Sequence, residues 1–75
     1  MTKLRRNMLR QVLSLIEDAK NILEEVKDEE ETAMDNMPEN LQGTDRYEQM
    51  EDAVCNLEDA VCNLEDAVDS INEVL

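Results

Sequence analysis

From Met50 onward the chain repeats one seven-residue phrase. It reads Met50-Glu-Asp-Ala-Val-Cys-Asn, then Leu57-Glu-Asp-Ala-Val-Cys-Asn, then Leu64-Glu-Asp-Ala-Val-Asp-Ser, and closes on Ile71-Asn-Glu-Val-Leu75. Seven residues are two turns of a slightly underwound α-helix, so such a repeat keeps the same side chains on the same face along its whole length. With Met50 at position a, column a holds Met50, Leu57, Leu64 and Ile71, and column d holds Ala53, Ala60, Ala67 and Val74. Column e holds Tyr47, Val54, Val61, Val68 and Leu75. Three apolar columns per heptad make a broad stripe, which suits a bundle helix better than a two-stranded seam.

The first half carries the same rhythm less regularly. Apolar residues fall at 9, 12, 16, 19, 23, 26, 33 and 37, with Glu30 in the skipped place, and Met8, Leu15 and Ile22 add a third column. Together these predict helix 1 over about residues 3–36, a loop over about 37–45, and helix 2 over about 46–75. Pro38 stops helix 1 and disfavours helical geometry at Met37. Gly43 suits a left-handed stop after a short turn at 38–42. Asp45 stands three residues before Glu48, the spacing of a capping box. Leu41, the one apolar residue between Pro38 and Tyr47, is expected to close the end of the core. A short link between two long helices makes them antiparallel neighbours. The fold class is therefore all-α, a two-helix antiparallel hairpin forming a single domain over residues 1–75.

One hairpin leaves much of two broad stripes in water, and domains of 75 residues seldom build enough core alone. A homodimeric four-helix bundle is the expected remedy, with Met50, Val54, Leu57, Val61, Leu64, Val68 and Ile71 as the self-association stripe.

Composition removes most enzymatic readings. The chain has no His, hence neither the commonest general base nor the commonest metal ligand, and its single Gly builds no phosphate-cradling loop. Adjacent carboxylates on an open helix face lack the contrasting environments that acid–base catalysis needs. No catalytic residue, cofactor or metal site is expected. Cys55 and Cys62 sit seven residues apart, about 10.5 Å along a helix, too far for a disulfide within it. Two thiols without His or C-x-x-C spacing make no zinc site. Arg10 and Gln11 interrupt the apolar stretch a signal peptide would need, so a cytoplasmic location is expected.

Seven Lys and Arg against twenty Asp and Glu leave a net charge of −13, which argues against direct nucleic-acid binding. The basic residues concentrate at the start: residues 1–16 carry Lys3, Arg5, Arg6 and Arg10 and no acid. In an antiparallel hairpin they lie beside Asp66, Asp69 and Glu73, where mutual neutralisation is expected; the large acidic remainder disfavours a membrane-surface role. Positions b and c of the repeat place Glu51, Asp52, Glu58, Asp59, Glu65 and Asp66 on an outer face. Such a ladder either solvates the helix or presents a phosphate-like surface to a basic groove. A dimer with about −26 on a rod of about 50 Å would carry roughly one charge per 1.9 Å, near the one per about 1.7 Å of B-DNA.

The segment Asp35-Asn-Met-Pro-Glu-Asn-Leu-Gln-Gly-Thr-Asp-Arg-Tyr-Glu-Gln-Met-Glu51, followed by Leu-Glu-Asp-Ala repeats, resembles a block in short acidic proteins encoded by phages and prophages of Gram-positive bacteria. In those proteins the hairpin centre similarly reads Asp-Asn-x-Pro-Glu-x-Leu-Gln, then a polar stretch with Arg, then Met-Glu ahead of an acidic coiled helix. The resemblance carries no functional residues. It implies a small modulator of host machinery, such as an inhibitor of a defence nuclease. The leading expectation is a non-enzymatic interaction module whose acidic ladder binds a basic surface of a host nucleic-acid-binding or defence protein. The competing one is an adaptor coiled coil that self-associates or pairs with a partner helix through its apolar stripe.

Overall fold

The computed structural model describes residues 1–75 as two helices joined by a tight link. Helix α1 runs Lys3–Asp35, a single 3-10 turn spans Glu39–Leu41, and helix α2 runs Asp45–Val74. The two lie antiparallel, giving a rod of 59 × 15 × 12 Å.

The ends of the helices are held by short-range hydrogen bonds. Thr2 caps α1, its hydroxyl accepting from the Arg5 backbone N–H at 3.3 Å. At the other end the Asn36 and Met37 amides still donate to Thr32 and Met34 carbonyls, and Pro38, lacking an N–H, ends the ladder. The Leu41 amide then donates to the Pro38 carbonyl at 2.9 Å, closing the 3-10 turn, and the Gln42 side chain donates to the Met37 carbonyl at 3.3 Å.

Three details of this link differ from the sequence expectation. The cap of α2 is Thr44, whose hydroxyl donates to the Leu41 carbonyl at 2.7 Å and accepts from the Tyr47 N–H at 3.4 Å. Asp45 is instead the first helical residue, where its charge suits the positive end of the helix dipole. Thr44 wins because one hydroxyl can donate into the turn and accept from the helix, whereas a carboxylate only accepts. Nor does Gly43 adopt a left-handed conformation, because the 3-10 turn has already reversed the chain. Leu41 also fails to close the core and remains 43% exposed.

The seam between the helices repeats every three or four residues on both. On α2 it is built from Tyr47, Met50, Val54, Leu57, Val61, Leu64, Val68 and Ile71, all at least half-covered; Val54 and Val61 alone are buried, at 8% and 9% exposure. On α1 it is built from Leu9, Leu13, Ile16, Lys20, Leu23, Lys27, Glu30, Met34 and Met37. The column at 9, 16, 23 and 37 is the expected one. Its companion is 13, 20, 27 and 34, not the predicted 12, 19, 26 and 33.

This rotation brings two lysines into the seam. Their aliphatic stems cover its apolar residues while the ammonium groups reach the edge, and Lys20 Nζ lies 3.5 Å from Glu65 Oε1. It also leaves a row of α1 uncovered. Leu4, Met8, Val12, Leu15, Ala19, Ile22 and Val26 are all exposed, Leu4 by 70% and Ile22 by 62%.

A non-positive φ at Gly43, with nothing within 4 Å of a Cβ built there, makes Gly43→Ala compatible with the native backbone. Chemical denaturation of G43A should show stability unchanged or raised by about 0.4–1 kcal/mol, from the lower entropy of the unfolded chain. A loss of more than about 1 kcal/mol would restore the left-handed turn.

Candidate interaction surface

The antiparallel arrangement sorts the charged side chains into two unlike flanks. A residue one place before or after a seam position lies about 100° round its helix. In antiparallel helices the preceding residues of both share one side of the hairpin, and the following residues share the other. Reversing the chain direction and crossing the seam each invert the sense of rotation, so the two inversions cancel.

The following row of α1 reads Arg10, Ser14, Glu17, Asn21, Glu24, Asp28, Glu31 and Asp35, and that of α2 reads Glu48, Glu51, Cys55, Glu58, Cys62, Glu65, Asp69 and Asn72. One shallow groove lined by Glu24, Lys27, Glu58, Val61 and Cys62 joins the two rows. This flank is acidic over most of its length. The preceding row of α1 is the exposed apolar row, uncharged from Leu4 to Val26 and then interrupted by Glu29. The preceding row of α2 starts at the loop end with Arg46, which lines a depression with Glu30, and continues as Gln49, Ala53, Asn56, Ala60, Asn63, Ala67 and Ser70, small or polar side chains with no charge.

Each member of the predicted acidic ladder is exposed, but the six do not form one face. Glu51, Glu58 and Glu65 stand on the acidic flank, while Asp52, Asp59 and Asp66 point directly away from the seam. Only Glu65 has a cation within 4 Å, namely Lys20. The structure adds Glu17, Glu24, Asp28 and Glu31 of α1 to the flank. No heptad reading of α2 alone could find these; the signal lies in the phase of one helix against the other. An open depression between Asn21 and Thr32, lined by Glu24, Glu25, Asp28 and Glu29, lies wholly on α1. No group of three or more His, Cys, Asp and Glu side chains is arranged to hold a metal ion.

The predicted self-association stripe of Met50, Val54, Leu57, Val61, Leu64, Val68 and Ile71 is the seam face of α2. Within one chain it is occupied by α1, and the unoccupied apolar surface belongs to α1 instead. The expected neutralisation at the open end is absent as well. Arg5, Arg6 and Arg10 make no ion pair with Asp66, Asp69 or Glu73; the one side-chain bond among them runs from Arg10 to Asn7 Oδ1 at 3.0 Å. Long arginine side chains at the exposed ends of two helices gain little by holding a fixed geometry in water. No helix is long and apolar enough to cross a membrane.

No family model, curated protein or solved structure matches this chain.

Cys55 and Cys62 are both exposed free thiols on the acidic flank. In the native protein both should react completely with a thiol reagent without prior unfolding. Mild oxidation should produce no intrachain disulfide, because their spacing along α2 is about 10.5 Å. The Lys20–Glu65 pair, half exposed on the Glu side, should contribute under about 1 kcal/mol in a double-mutant cycle with Lys20→Met and Glu65→Gln.

Proposed function

We propose that the hairpin is a non-enzymatic interaction module that docks its acidic flank on a basic surface of another protein. The observation that carries this reading is the convergence of carboxylates from both helices on one flank. Glu17, Glu24, Asp28 and Glu31 stand alongside Glu51, Glu58 and Glu65, and only Asp28 and Glu65 have a cationic partner, Lys27 and Lys20. The two rows belong to helices packed about 8–10 Å apart, and within α2 the glutamates recur about every 10.5 Å. A surface of this kind fits a groove whose Lys and Arg side chains otherwise hold phosphates. The resemblance of residues 35–51 to acidic phage and prophage proteins points to nucleic-acid-binding or defence proteins of a bacterial host as the partner class, and to inhibition as the outcome.

The alternative, pairing with a foreign helix through the α2 stripe, requires a face that α1 already covers. Salt separates the two modes. Contacts between exposed charges weaken as the screening length shortens to about 8 Å at physiological ionic strength, whereas apolar helix pairing does not.

A nuclease-treated lysate of a Gram-positive bacterium, passed over the immobilised chain and eluted in salt steps, tests the proposal. The control is a variant with Glu24, Glu51, Glu58 and Glu65 changed to Gln and Asp28 changed to Asn. A basic protein should leave the parent chain at moderate salt and be missing from the neutralised variant. Equal recovery on both, or release that ignores salt, overturns the acidic-flank reading.

A further inference from the structure

We propose that the apolar flank is the site where a second copy of this chain docks, the two hairpins running in opposite directions with their loops at opposite ends. This inference stands independently of the acidic-flank function. Four observations lead to it.

Burial comes first. A 75-residue chain with two buried residues has almost no interior, yet the α1 row leaves Leu4, Leu15 and Ile22 at least 60% exposed. Single exposed apolar residues need no explanation, but a row continued over six turns marks an interface.

Area comes second. The flank is 15 Å wide, and its uncharged stretch from Leu4 to Val26 extends about 33 Å along α1. That is on the order of 500 Å² per copy, or about 1,000 Å² for the pair, at the lower bound of a specific interface.

Charge selects the occupant. A second chain of −13 approaching the acidic flank would stack carboxylate on carboxylate. The apolar flank, uncharged from Leu4 to Val26, is the one side where two copies can meet over most of their length without doing so. Large side chains on α1 and Ala53, Ala60 and Ala67 on α2 also leave relief on this surface for a helix to settle into.

The direction follows from charge along the rod. Residues 20–63, the loop half, carry fourteen acids and three bases, a net −11. The open half, residues 1–19 and 64–75, carries six acids and four bases, a net −2. Loops at the same end would lay −11 beside −11; loops at opposite ends lay each −11 half beside a −2 half. The basic start of α1 finds a purpose here, since Lys3, Arg5 and Arg6 at the helix N-terminus oppose its dipole and make no ion pair within the chain. The resulting four-helix bundle turns its two acidic flanks outward on opposite sides.

Sedimentation equilibrium of the full chain should give about 17 kDa, twice the 8.6 kDa chain mass, with association strengthening as salt is added. Leu15→Glu with Ile22→Glu should weaken association on the order of a hundredfold. Ser14→Glu with Asn21→Glu, on the other flank of the same helix, should change it by no more than a few-fold. Loss of helicity along with the dimer in the first variant counts in favour, provided the second keeps both. For direction, a spin label at Asn40→Cys in a Cys55→Ser/Cys62→Ser background should report a separation approaching the 59 Å rod length. A monomer at micromolar concentration, or an L15E/I22E variant that still dimerises, overturns the docking site. Labels closer than about half the rod length overturn the direction.

Discussion

Every feature of this molecule depends on one seam, in which the Leu and Val columns of the α2 repeat pack along α1. A two-helix hairpin has no second layer, so each helix meets only one neighbour. The apolar sector of α1 extends from the seam at Leu9, Ile16 and Leu23 to the row of Met8, Leu15 and Ile22, about 100° away. One partner helix cannot cover that sector. The rotation the hairpin adopts places the stems of Lys20 and Lys27 in the seam and leaves the purely apolar row outside. As a monomer this is a poor arrangement, because the better hydrophobic surface is the one left wet. Within a larger bundle the same arrangement is economical, since the second apolar row then has a neighbour of its own.

The seam also fixes where the charges go. A seven-residue repeat of Leu-Glu-Asp-Ala-Val-Cys-Asn assigns Leu and Val to the seam, Ala and Asn to one flank, Glu and Cys to the other, and Asp to the back. Antiparallel α1 reinforces this assignment with apolar side chains on the first flank and carboxylates on the second. A single short repeat thereby separates a largely uncharged surface from one crowded with like charges. Net charge of this size keeps a chain soluble and discourages indiscriminate association, so the largely uncharged flank stands out by contrast.

Much of the fold was legible in the heptads. The expected helices at about 3–36 and 46–75 match Lys3–Asp35 and Asp45–Val74 to within a residue, and Pro38 ends α1 for the reason expected. Periodicity reports that a sector is apolar and how broad it is. Which part of the sector meets the neighbour depends on the packing of both helices together. The companion column on α1 was therefore misread, because Lys20 and Lys27 look like surface residues until their stems are seen lying along the seam. The same limit hid Glu24 and Asp28, which join the acidic flank only through the antiparallel phase. At the link, a competition between two adjacent capping residues, Thr44 and Asp45, was settled by the preceding 3-10 turn, a feature of three-dimensional context. The Arg-to-acid neutralisation at the open end was inferred from sequence proximity across the hairpin, and proximity alone did not pair flexible exposed ends.

The central claim is that one hairpin does not complete its own core. Thermal unfolding followed by circular dichroism across a hundredfold range of chain concentration tests it most directly. When folding is linked to association, the midpoint depends on concentration. Here Tm should rise steadily with concentration while the helical signal at low temperature stays constant. A fully helical chain whose Tm is the same at every concentration would show that the seam alone suffices, and would contradict the claim.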